Sequence, residues 1–156
     1  MTSDLRVFVT LLKSDLETLG ALEATLDNER EALEKRDLGA LQNITVVKNR
    51  YLEKTRDNAR QKVTWLSSTG LTTPRFLELL KTRAAPTFGL YAEAETRIAA
   101  VRRKNAINGR LILRARQVNE RLMDILRGKG GLPPDLYTAS GRKLSAAEGS
   151  QPLVRA

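Results

Sequence analysis

The chain has 156 residues, with 27 Lys and Arg against 18 Asp and Glu, no cysteine and no histidine. That length fits one domain with a real core, and the missing residues exclude disulfides, zinc–sulfur sites, thiolate nucleophiles and the commonest general base. The formal charge of +9 is less free than it looks, because an acidic first helix between two basic stretches is arranged to pair internally.

The opening residues, Met1-Thr2-Ser3-Asp4, lack the basic region of an export signal. The apolar run Val7 to Leu12 is interrupted by Thr10 and stopped by Lys13. It is too short to cross a membrane or drive export, so a soluble, cytoplasmic protein without membrane insertion is expected. Thr2 or Ser3 is placed to cap a first helix running to about Lys35. Leu5, Leu12, Leu19, Leu26 and Leu33 recur every seven residues, reinforced by Val9, Leu16 and Leu22. A leucine ladder of that period predicts a long helix packed on other helices. Asp4, Asp15, Glu17, Glu23, Asp27, Glu29, Glu31 and Glu34 give it an acidic outer face.

Asp37 offers an N-cap carboxylate and Gly39 breaks the phase. A second helix is expected to about Leu66, carrying Leu41, Ile44, Tyr51, Leu52, Ala59, Val63 and Leu66. So short a connection makes it antiparallel to the first. It is basic, so the two charge patterns select an alignment between them. Ser67-Ser68-Thr69-Gly70 ends it. Thr73-Pro74 then starts a short helix, with Thr73 as N-cap and proline in the first turn. Phe76, Leu77 and Leu80 can cover one end of the hairpin, and Pro86 and Gly89 punctuate the approach to the last helix.

Thr87 to Arg127 contains no proline and carries Tyr91, Ala94, Ile98, Val101, Ile112, Ala115, Leu122 and Leu126 at intervals of three and four, apart from a gap after Val101 and one heptad step from Ala115 to Leu122. This is the period of a helix burying one side. At about 1.5 Å per residue it would span roughly 60 Å, which predicts an elongated architecture. Through the gap the apolar seam passes Asn105 and Asn108, and Asn119 follows one heptad after Ile112. Amides on a seam serve either as a register device or as a docking point for a partner. As unpaired amides, both would tolerate leucine without loss of melting temperature. Gly109 costs about 1 kcal/mol relative to alanine inside a helix, for which close approach of another chain would compensate.

Gly128 stops this helix, and the remainder is rich in Gly, Pro and Ser. The expected organisation is therefore a helical bundle domain over 1–127 and a flexible tail over 128–156. The fold class is all-α: an elongated antiparallel helical hairpin or bundle with a long C-terminal helix.

The sequence holds little chemistry. The close carboxylate pairs Glu93/Glu95 and Glu120/Asp124 look like solvated helix surface, and no glycine-rich phosphate loop follows a strand. No enzyme, cofactor, metal site or small-molecule substrate is expected. Arg102-Arg103-Lys104, Arg110, Arg114, Arg116 and Arg121 allow a basic helical nucleic-acid-binding protein as the alternative. They wind around the helix, however, and the few aromatics have no base-stacking spacing.

Several residues resemble the FlgN family of flagellar export chaperones. Glu31-Ala32-Leu33, Asp37, Leu41, Lys48 and Leu52 are similar to that family's helix-turn-helix entrance, although Tyr51 stands where leucine is commoner. Asn105, Asn108 and Gly109, followed by Leu111-Ile112, match its Asn-x-x-Asn-Gly signature. Tyr137-Thr138-Ala139-Ser140-Gly141 matches its tail element. The resemblance runs from about Leu5 to Gly141.

It implies a cytoplasmic type III secretion chaperone that binds the C-terminal amphipathic segment of hook–filament junction (hook-associated) proteins and delivers them to the export apparatus. On that basis Asn105, Asn108, Gly109, Leu111, Ile112, Val118, Leu122 and Ile125 are expected to bind the client. Tyr137 is expected to dock on an export-gate component. The over-wide apolar side at Leu111, Ile112, Ala115, Val118, Leu122, Ile125 and Leu126 is compatible with a partner helix lying in a groove. The short helix and a second copy of the chain, forming a homodimer, are the competing occupants.

Overall fold

Leu12, Leu19, Leu22 and Leu26 are almost completely shielded from solvent, which is what a seven-residue ladder produces when its seam meets another helix. The structure, a computed structural model, describes residues 2–128. They form four helices: α1 (Thr2–Lys35), α2 (Leu38–Thr69), α3 (Thr73–Arg83) and α4 (Ala85–Leu126). The fold is all-α with a long C-terminal helix. The described residues divide into two units, which part between Leu111 and Ile112.

In the first unit, α1 and α2 form an antiparallel hairpin. Phe8 stacks on Trp65, Asp15 meets Asn58 and Lys62, and Glu29 meets Lys48, so numbers rise on one helix as they fall on the other. The turn between them is a Schellman motif. Arg36 sits at φ 55, Asp37 N–H donates to Ala32 O at 3.0 Å and Arg36 N–H to Leu33 O at 3.3 Å. Asp37 then caps α2, its Oδ1 accepting from Ala40 N–H at 3.1 Å. That satisfies one of the free N–H groups of the first turn, as its position after the ladder suggested. Gly70, at φ 72, closes α2.

Five expectations need correcting. Thr2 and Ser3 lie within α1 rather than ahead of it. Asp15 and Glu29 do not belong to an outer acidic face; each is 2% exposed, on the seam with Phe8 and Leu22 at seven-residue spacing. Val63 is the converse, 65% exposed, because the α2 seam runs instead through Leu41, Ile44, Lys48, Tyr51, Thr55, Asn58, Lys62 and Trp65. Finally, Thr72 rather than Thr73 precedes α3, and α4 begins at Ala85, so Pro86 and Gly89 are helical. Proline costs little there, since its missing N–H would be unpaired in the first turn anyway.

α3 closes one end of the hairpin. Phe76 and Leu80 are buried with Phe8, Leu12 and Ala94, and Phe8, Trp65 and Phe76 stack with centroids 4.9–5.3 Å apart. Further along, Val101 joins Leu19, Leu22 and Leu26. Residues 85–111 of α4 run parallel to α1, since Glu23 meets Arg97, Asp27 meets Lys104 and Glu29 meets Asn108. Among the described residues no helix is long and apolar enough to cross a membrane.

Candidate functional site

α4 carries every described residue expected at the site, and its heptad columns show what each can do. Thr87, Ala94, Val101 and Asn108 recur every seven residues and are all buried. Tyr91, Ile98, Asn105 and Ile112 form the adjoining column and are half-buried. Asn108 is 1% exposed. Its Nδ2 donates to the Leu26 carbonyl and to Glu29 Oε1, both at 2.9 Å. Glu29 also accepts from the Lys48 ammonium at 3.2 Å on each oxygen. The amide of Asn108 is thus committed within the first unit, tying α4 to α1 and, through Glu29, to α2.

A second buried carboxylate repeats the device two heptads away. Asp15 accepts from Asn58 Nδ2 at 3.0 Å and pairs with the Lys62 ammonium. Asp15 and Glu29 are spaced as Lys62 and Lys48 are, so both pairs close at one alignment of the hairpin. A slipped alignment would leave buried charge without a partner, at a cost of several kcal/mol. Charge also selects the α1–α4 alignment. Lys104 reaches Glu23 at 2.9 Å and Asp27 at 2.8 Å, and Arg97 approaches Glu23 at 4.0 Å. Hydrogen bonds that it donates to Asp27 and then Glu23 raise the Lys104 ammonium above its ordinary pKa.

Asn105 is half-buried, and among the described residues its side chain makes no hydrogen bond. Gly109 is exposed, and a Cβ added there would meet nothing within 4 Å. Among the described residues, no packing requires a glycine at that position.

The described part of the second unit, Ile112 to Gly128, carries a broad apolar side. Val118, Leu122, Met123, Ile125 and Leu126 range from 39% exposed at Ile125 to 80% at Leu126. Leu111 and Ile112 are half-buried. The stripe gains a third column because Leu111, Val118 and Ile125 continue the column that carries Arg97 and Lys104 earlier in the helix. Leu126 belongs to the apolar side expected from sequence, whereas Met123 extends the exposed set beyond it; its spacing of three to Leu126 was the available signal. Tyr137 lies outside the described residues.

A cleft of about 430 Å³ opens elsewhere in the first unit, among Leu5, Trp65, Leu71, Phe76, Leu79 and Leu80. It contains none of the expected residues. The aromatics Phe8, Trp65 and Phe76 are spent on the core and its edge, not on a basic surface.

Residues 1–145 match the family model described as FlgN protein. No curated protein and no solved structure matches the chain.

Proposed function

Because the chain belongs to the FlgN family of flagellar export chaperones, we propose that it holds the C-terminal amphipathic segment of hook–filament junction proteins and delivers them to the export apparatus from the cytoplasm. The observation that carries this reading is the exposed stripe of α4, where Val118, Leu122, Ile125 and Leu126 leave a large apolar surface open to water. Monomeric proteins rarely expose contiguous apolar surface of this kind unless something binds there. An amphipathic helix with anchors at i, i+3, i+4 and i+7 would bury it.

The client surface proposed here comprises Leu111, Ile112, Val118, Leu122 and Ile125, with Gly109 leaving room for a closely approaching backbone. Asn105 lies at its margin. Asn108 contributes by holding α4 on the hairpin rather than by touching the client. Each side chain fully buried would contribute roughly 1.5–3 kcal/mol. Ordering a previously unfolded segment offsets much of that, so micromolar affinity is expected. Tyr137, in the tail, is proposed to address an export-gate component.

The test uses the C-terminal peptide of a junction protein. Leu122→Asp with Ile125→Asp should abolish both peptide binding and secretion of the junction protein. Deleting residues 128–156 should reduce secretion while leaving peptide affinity nearly intact. Loss of peptide binding on tail deletion alone would show that the division of labour is wrong. Retained binding in the double aspartate variant would remove α4 as the client surface.

A further inference from the structure

The client surface has a charged border with one sign. At 100° per residue, Arg114 and Arg121 fall beside the Leu111–Val118–Ile125 column, and Arg116 falls beside the Ile112–Asn119–Leu126 column. Asp124 lies on the opposite side of the helix, and Glu120 lies beyond Arg116, farther from the stripe. All three arginines are exposed, and among the described residues none has an ion-pair partner.

The first unit shows what such a border accepts. There the α4 seam of Ala94 and Val101 packs near the leucine seam of α1, and α1 carries Glu23 and Asp27 beside that seam. Arg97 and Lys104, bordering α4, take those carboxylates. The second unit repeats the arrangement without its acidic half: an apolar stripe, one column wider, with arginines moved one column outward.

We propose that distal α4 selects an acidic occupant: an amphipathic helix whose apolar stripe is bordered by Asp or Glu, as α1 is. This rests on the client reading above and adds the chemistry that the client must have. Arginine suits the task, because its planar fork pairs with a carboxylate through two parallel hydrogen bonds. A flanking carboxylate would steer the encounter and set the partner's alignment, while the stripe supplies the adhesion. An anionic membrane would also suit an apolar stripe with basic edges. Interfacial helices, however, carry aromatic anchors, and Ile112 to Leu126 contains no Trp, Tyr or Phe.

The experiment uses the full chain and two synthetic amphipathic peptides of about 20 residues, sharing one apolar stripe but bordered by glutamate in one and lysine in the other. Vesicles of phosphatidylglycerol form a third arm. The Glu-bordered peptide should bind on the order of tenfold tighter in about 0.1 M salt, and the preference should shrink as salt rises. The variant R114E/R116E/R121E should reverse the preference while keeping its far-ultraviolet circular dichroism. Leu122→Asp should weaken both peptides. Equal binding of the two peptides, or a preference unmoved by the charge reversal, would overturn the inference and leave the client reading standing. Failure of both peptides would remove the client reading as well, and saturable binding to vesicles alone would reassign the stripe to a lipid surface.

Discussion

Asn108 and Glu29 lie 79 positions apart in the chain, yet Nδ2 of one donates to Oε1 of the other at 2.9 Å, in a site where both are almost fully buried. This bond makes the asparagine signature of α4 a structural member of the first unit. Asn108 donates to a carboxylate and a main-chain carbonyl of α1, and Lys48 reaches the same carboxylate from α2. The seam amides are therefore not equivalent, and leucine should not be tolerated equally at both.

Asn108→Leu removes one of the two donors to Glu29 Oε1, leaving Lys48, and the side-chain donor to the Leu26 carbonyl. Stability should fall by about 1–3 kcal/mol, the scale of a buried hydrogen bond to a charged group. Asn105→Leu, with no such bond to lose, should change stability by less than about 0.5 kcal/mol. Urea unfolding midpoints of the two single variants separate the roles; equal effects would contradict the assignment.

The Asp15–Lys62 pair should respond asymmetrically. Lys62→Met strands a carboxylate that is 2% exposed, with Asn58 and Ser14 nearby, and should cost about 3 kcal/mol. Asp15→Leu should cost less, because the Lys62 side chain is already 20% exposed and can extend its ammonium to water. The double variant should recover most of the loss, since an apolar pair of similar volume can replace a buried ion pair. A double-mutant cycle measures the coupling.

Arg36 occupies the left-handed position of the hairpin turn at φ 55, where a side chain is strained. Arg36→Gly relieves the strain but adds freedom to the unfolded chain, so a net gain of about 0.5–1 kcal/mol is expected. An unchanged or lower urea midpoint would contradict a strained turn.

Two groups predict an alkaline limit to stability. Burial, and then the nearby Glu95 charge, push the Tyr91 phenol above its ordinary pKa; hydrogen bonds donated to Asp27 and Glu23 raise the Lys104 ammonium. A raised folded pKa means that the contribution is fully present below the unfolded value, at about pH 10 for both types, and is lost as pH rises through the folded value. Stability should therefore decline above about pH 10. Lys104→Gln should lower stability below that range and flatten the decline above it. A decline of unchanged slope would assign it to other groups.

The long helices were legible in the sequence because their evidence is local and redundant. The α1 ladder repeats every seven residues, and Asp37 and Gly70 stand where a cap and a stop are needed. The α4 seam was equally legible, including the passage of Asn108 through it. The α2 seam was harder to read. A search for apolar spacing selected Val63 and passed over Lys48, Asn58 and Lys62, which hold the more important positions.

What the sequence determined by itself is periodicity: which side of each helix is shielded follows from spacing, because burial rewards apolar side chains at helical intervals whatever the partner. Which polar residues cross that rule was decided by tertiary structure. Asp15, Glu29, Asn58 and Asn108 can be buried only because a counter-charge or a carbonyl from another helix meets them, and those partners lie 43 to 82 positions away where the contact is buried. The same dependence distinguishes the two ends of the α4 seam. Ala94 and Val101 are buried against a partner's seam, whereas Leu122 and Leu126, identical in pattern, remain open to water. Spacing records that a face is apolar; only the packed chain decides whether that face is covered.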